Sequence, residues 1–81
     1  MIQTYQVLFF THTGAIRFDQ TMKKTGINCL LMPVPRVLSS SCGVSARIEW
    51  GGPVELLISD LVAEIHRWDN DAYTPVYKAA D

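Results

Sequence analysis

Apolar residues along this chain change their spacing several times, and each change marks an element. Val7-Leu8-Phe9-Phe10 is too short and too rich in strand formers for a helix. It predicts a strand over Thr4–Phe10 buried on both faces. Thr11-His12-Thr13-Gly14 interrupts it, with Thr13 as the expected N-cap of a helix whose Ala15, Phe18 and Met22 recur at helical spacing. Lys23 and Lys24 suit the carbonyl end of that helix, and Gly26 stops it. A second apolar strand, Ile27–Met32, ends at Pro33. Val44, Ala46, Ile48 and Trp50 then alternate with Ser45, Arg47 and Glu49, the period of a half-buried strand. After the Gly51-Gly52-Pro53 turn, apolar residues at Val54, Leu57, Ile58, Leu61, Val62, Ile65 and Trp68 form a helical stripe. Asp69-Asn70-Asp71 closes it. Tyr73–Lys78 offers a last strand, with Pro75 assigning it to an edge.

The expected order is therefore β-α-β-β-α-β in one α+β domain over residues 1–81. Its natural packing is an antiparallel sheet with two helices on one face, a ferredoxin-like arrangement. If the first two strands run the same way, the turn after strand one and the loop after strand two emerge together. His12, Arg36, Cys42 and the N-terminus of the first helix would then share one end.

That loop is where the regular spacing stops. Met32-Pro33-Val34-Pro35-Arg36-Val37-Leu38-Ser39-Ser40-Ser41-Cys42-Gly43 holds two prolines that stiffen its start and three serines able to face a ligand. Gly43 permits a left-handed turn that would leave the Cys42 sulfur accessible. Cys42 reads as a reactive thiol, because a helix N-terminus, Arg36 and His12 nearby would favour the thiolate. The plainer alternative is a small buried residue filling a turn. Cys29, among Ile27, Leu30 and Leu31, reads as core. Arg36 suits an anion or a partner's carboxylate, or equally a solvated surface position. His12 is either a base or a capping residue, and His66 belongs on a helix surface. Trp50 and Trp68 read as core or sheet-rim packing.

Composition narrows the function. With 48% hydrophobic and 19% charged residues, the 81-residue chain is globular. It is expected to bury only about 60–65% of its unfolded surface. A net charge of −1 favours neither nucleic acid nor an anionic membrane as partner. Two cysteines and no secretion signal predict a reduced, cytoplasmic protein. The inventory lacks C-x-x-C, G-x-S-x-G and a glycine-rich phosphate loop, and its dispersed cysteines and histidines make a poor metal site. No cofactor is expected. Ser41, His12 and Asp71 compose a triad only on paper.

Pro33-Val34-Pro35-Arg36 followed by Ser39-Ser40-Ser41-Cys42-Gly43 resembles the signature of small bacterial selenium/sulfur carrier-like domains. The Phe10–Thr13 turn and the Lys24–Ile27 junction are similar to that family too, so the resemblance runs from about Tyr5 to Trp50. It implies a cytosolic carrier holding sulfur or selenium on Cys42 as a persulfide or selenosulfide, with Arg36, Ser41 and Gly43 shaping the pocket. Its partners would be donor and acceptor proteins, and it would have little turnover of its own. Two other readings stand beside this one. The first is a binding module whose 33–43 loop grips an anion or partner, with Cys42 structural. The second is an enzyme using Cys42 as nucleophile and His12 as base.

Overall fold

A strand buried from Tyr5 to Phe9 needs neighbours along both edges to satisfy its backbone. β1 (Gln3–Phe9) has them: β3 (Val44–Trp50) on one side and β4 (Val62–Asp69) on the other, both antiparallel. β2 (Cys29–Pro33) and β5 (Ala72–Lys78) extend the sheet to the order β2-β3-β1-β4-β5. The computed structural model describes residues 1–38 and 42–80. Among them are one α-helix, α1 (His12–Lys24), and a short 3₁₀ turn at Val54–Leu57.

α1 starts two residues earlier than an N-cap at Thr13 would place it. Thr11 is the N-cap, its hydroxyl accepting from the Gly14 N–H at 2.9 Å. The helix stops where Gly26 takes φ +80°. There the Gly26 and Ile27 N–H groups reach back to the carbonyls of Lys23 and Met22. Ala15, Phe18 and Met22 face the sheet and meet Tyr5, Val7, Phe9, Ala46, Ile48 and Ile65 in the core. The Phe9 and Phe18 rings pack tilted, 5.1 Å apart.

The expected second helix is not formed, and the β-α-β-β-α-β arrangement is replaced by one helix and five strands. The chain turns at Ser59, whose carbonyl accepts from the Val62 N–H, and continues as β4. The misleading stripe has a physical origin. Leu8 pairs with Glu64 but Phe9 pairs with Val62, so Ala63 is an extra residue in the ladder. This bulge shifts the alternation by one, and Val62 and Ile65 both face the core at helical spacing while lying on a strand. Asn70 and Asp71, with φ 48° and 68°, form the two-residue turn of the β4–β5 hairpin rather than a helix stop. His66, expected on a helix surface, is buried in β4 at 7% exposure.

Among the described residues no helix covers the other face of the sheet, yet Gln6, Leu8 and Ser45 on it are fully buried. A polar chain runs across it. Ser45 Oγ lies within 3.3 Å of the Met32 and Pro33 carbonyls and accepts from Gln6 Nε2 at 2.7 Å. Arg47 Nε donates to Gln6 Oε1, and its Nη2 donates to the Tyr73 hydroxyl at 2.8 Å. The guanidinium stacks 4.6 Å from the Trp68 ring. All five strands are thereby tied through side chains as well as by the ladder.

Candidate thiol site

The pairing register decides which loops meet. Leu8 and Met32 both pair with Ser45, so β1 and β2 run parallel to each other through β3 and end at one level. The turn into α1 and the connection from Pro33 to Val44 emerge there, as expected for His12, Arg36 and Cys42. His12 is the first residue of α1 and is exposed, while Thr11 performs the capping. Arg36 is exposed in a turn closed by the Leu38 N–H on the Pro35 carbonyl at 3.0 Å. Ser41 lies outside the described residues.

Cys42 hangs two residues ahead of β3. It is half-buried rather than fully accessible and packs against the core. Its S–H donates to the Val44 carbonyl at 3.1 Å. Gly43 has φ +73° with open space where a Cβ would stand, so glycine is required by backbone conformation and not by crowding. That left-handed residue swings Cys42 back over the start of β3. The residue thus packs against the core while its sulfur is held by the Val44 carbonyl.

Cys29 is a different thiol. It sits in β2 against the core, facing α1. Asp19, itself buried, presents its carboxylate to this sulfur and takes Lys23 Nζ on Oδ2 at 3.0 Å. Oδ1 has no conventional donor among the described residues; the Cys29 thiol, a weak donor, faces the carboxylate without closing such a bond. Burial first, then the Asp19 carboxylate, pushes the Cys29 thiol up to about 12, with Lys23 opposing. Its thiolate is therefore strongly disfavoured at neutral pH.

Distance separates the two sulfurs as well. Cys29 pairs with Ile48 and Pro33 with Val44, so four strand steps, about 13 Å, separate Cys29 from the end of β2 beside Val44, which Cys42 precedes by two residues. A disulfide needs Cα atoms within about 7 Å. The two cysteines therefore form no disulfide with each other within the folded chain.

Two results should follow. A thiol reagent at neutral pH should modify Cys42 at least about tenfold faster than Cys29, by peptide mass mapping, since only the thiolate attacks. Equal rates would mean that the loop closes over Cys42. For stability, the folded state keeps the Cys29 proton up to about 12, whereas the unfolded state releases it from about 9.0. Unfolding thus releases a proton between those values, and stability should fall as pH rises through that window. Cys29→Ala should remove this component of the alkaline slope in denaturant titrations.

The Asp19–Cys29 contact and the Gln6–Ser45–Arg47–Tyr73 chain escape sequence reasoning. The first joins a helix to a strand, and the second needs the order of the sheet. Among the described residues no three His, Cys, Asp or Glu side chains cluster as metal ligands, and no helix is long and apolar enough to cross a membrane.

Comparison with curated proteins yields no match, and neither does comparison with solved structures. A family model does match, over residues 4–57, from the first strand through the thiol loop to the 3₁₀ turn. With two thirds of its length so covered, the chain belongs to the family described as Putative Se/S carrier protein-like.

Proposed function

We propose that this protein carries sulfur or selenium on Cys42, as a persulfide or selenosulfide exchanged with donor and acceptor proteins. The observation that supports this most is the contrast between the two thiols: both are half-buried, but Cys29 packs against Asp19, which with burial favours its protonated form, so Cys42 is the thiol left to exchange. The chemistry needs no outside oxidant. The Cys42 thiolate attacks the outer sulfur of a donor R–S–SH; the new S–S bond forms as the donor's S–S bond breaks, and R–S⁻ leaves. A donor R–S–SeH transfers selenium in the same way.

Loading costs the S–H bond to the Val44 carbonyl, because the outer atom of a persulfide takes its place. Arg36 and loop N–H groups would meet the terminal anion with charge-assisted hydrogen bonds, roughly twice as strong as neutral ones. Ser41, Gly43 and His12 are the other residues we assign to this end. The carrier is read as a cytoplasmic protein without turnover of its own.

A second reading keeps the loop as a binding module for an anion or partner, with Cys42 structural. The core contact and the S–H bond to Val44 favour it. The deciding measurement is the intact mass after incubation with cysteine desulfurase and cysteine, with a reductant control. One added sulfur, reversible by reductant and mapped to Cys42, supports the carrier. Arg36→Ala should lower the loaded fraction without unfolding the chain, because Arg36 contributes no core. Absence of loading from several donors would leave the binding module.

A further inference from the structure

The two edges of the sheet are built differently. β5 carries Pro75 and Lys78, and its pairing with β4 is broken by a bulge, three devices that discourage another strand from adding. β2, Cys29-Leu30-Leu31-Met32-Pro33, has no charge, and its proline stands only at the end. Its outward groups can be identified. The Glu49 N–H donates to the Asn28 carbonyl, so Asn28, Leu30 and Met32 bond toward β3. The N–H and C=O groups of Cys29 and Leu31 therefore point away from the sheet, with no backbone partner among the described residues. Leu30, between them, is 63% exposed.

We propose that this edge pairs with a second copy of the chain, β2 against β2 in antiparallel register centred on Leu30. Cys29 of each copy then faces Leu31 of the other, and the outward groups close four backbone hydrogen bonds. The two Leu30 side chains meet as a close, non-hydrogen-bonded pair about 4.5 Å apart at Cα, covering one another. The same register places Pro33 opposite Ile27 of the partner copy. Pro33 has no N–H to offer, and the Ile27 N–H is already committed to the Met22 carbonyl, so no donor is stranded there.

Charge agrees with this pairing. Glu49, exposed on the same face as Leu30 and bonded to Asn28, marks one end of β2; exposed Arg36 follows the other end. Antiparallel pairing sets each Arg36 at the partner copy's Glu49 end. Lys24 also lies near that end, but on the helix side of the sheet.

An edge of five residues, about 17 Å long, is a small contact, whereas a stable complex buries ~800 Å² per partner. The dimer is thus weak and concentration-dependent. The Cys29 residues, offset by two positions, stand about 8 Å apart at Cα, beyond disulfide reach. Both Cys42 loops stay at opposite outer ends, so the dimer goes beyond the carrier reading without depending on it.

Sedimentation from micromolar to millimolar protein should show a reversible monomer–dimer equilibrium. Amide exchange at Cys29 and Leu31 should slow as concentration rises. Leu30→Lys, at an exposed position the fold tolerates, should weaken association at least about tenfold by opposing two charges on the axis. Arg36→Glu should weaken it a few-fold, with the added change Glu49→Arg restoring it. A chain monomeric throughout, a dimer indifferent to Leu30→Lys, or charge variants without effect would overturn the proposal.

Discussion

Cys42→Ser should abolish chalcogen loading outright while the chain stays folded. Serine is nearly isosteric, and its hydroxyl can donate to the Val44 carbonyl that now accepts the S–H. The half-buried contact with the core is largely kept, so a stability loss of about 1 kcal/mol or less is expected. An alcohol, however, does not form the sulfane bond, and Cys29 cannot substitute because its thiolate is suppressed and lies four strand residues away. Cys29→Ser should load like the wild type as long as the strand still packs. Intact mass of the two variants, with circular dichroism on the same samples, checks this. Loading that survives in Cys42→Ser and disappears in Cys29→Ser would reverse the assignment of the two thiols. Loading absent from every form, with anion or partner binding kept in Cys42→Ser, would establish the binding module.

Gln6→Leu should destabilise the fold by roughly 2–4 kcal/mol, although leucine is apolar and of similar size. Gln6 is fully buried, and its amide serves both sides: Nε2 donates to Ser45 Oγ and Oε1 accepts from Arg47 Nε. Leucine leaves the guanidinium without that acceptor and loosens its seat between Trp68 and Tyr73. A buried polar group left unpaired costs about 1–3 kcal/mol, more when charged. Ser45 loses a donor but keeps the Met32 and Pro33 carbonyls within reach. Urea denaturation should show a lower midpoint with an unchanged slope. A shift below about 0.5 kcal/mol would mean that this face of the sheet tolerates a purely apolar cover.

Much of this was legible in the residues themselves. Val7-Leu8-Phe9 announces a strand covered on both faces, because a short apolar run without alternation leaves no side for water; its central place in the sheet came from the structure. Ala15, Phe18 and Met22 between a polar break and Gly26 specify the first helix, since helical spacing and a left-handed stop are local properties. The alternation from Val44 to Trp50 specifies β3 for the same reason. The Pro33–Gly43 stretch stands out by composition, and the positive φ at Gly43 follows from that residue type.

The tertiary structure decided the rest. Val62 and Ile65 carry helical spacing, yet the free edge of β1 next to Phe9 requires a partner strand, and a single bulge at Ala63 reconciles the two. Local spacing reports which residues want burial; it does not report which neighbour supplies the cover. The Gln6–Arg47 chain depends on β1 lying between β3 and β4, an order no local pattern contains. The raised pKa of Cys29 depends first on burial and then on Asp19, ten positions earlier, brought to it by the helix packing on the strand. Sequence alone thus singled out Cys42, while the contrast that distinguishes it from Cys29 arises from long-range packing, where burial and a neighbouring carboxylate act on a sulfur that its own segment leaves unremarkable.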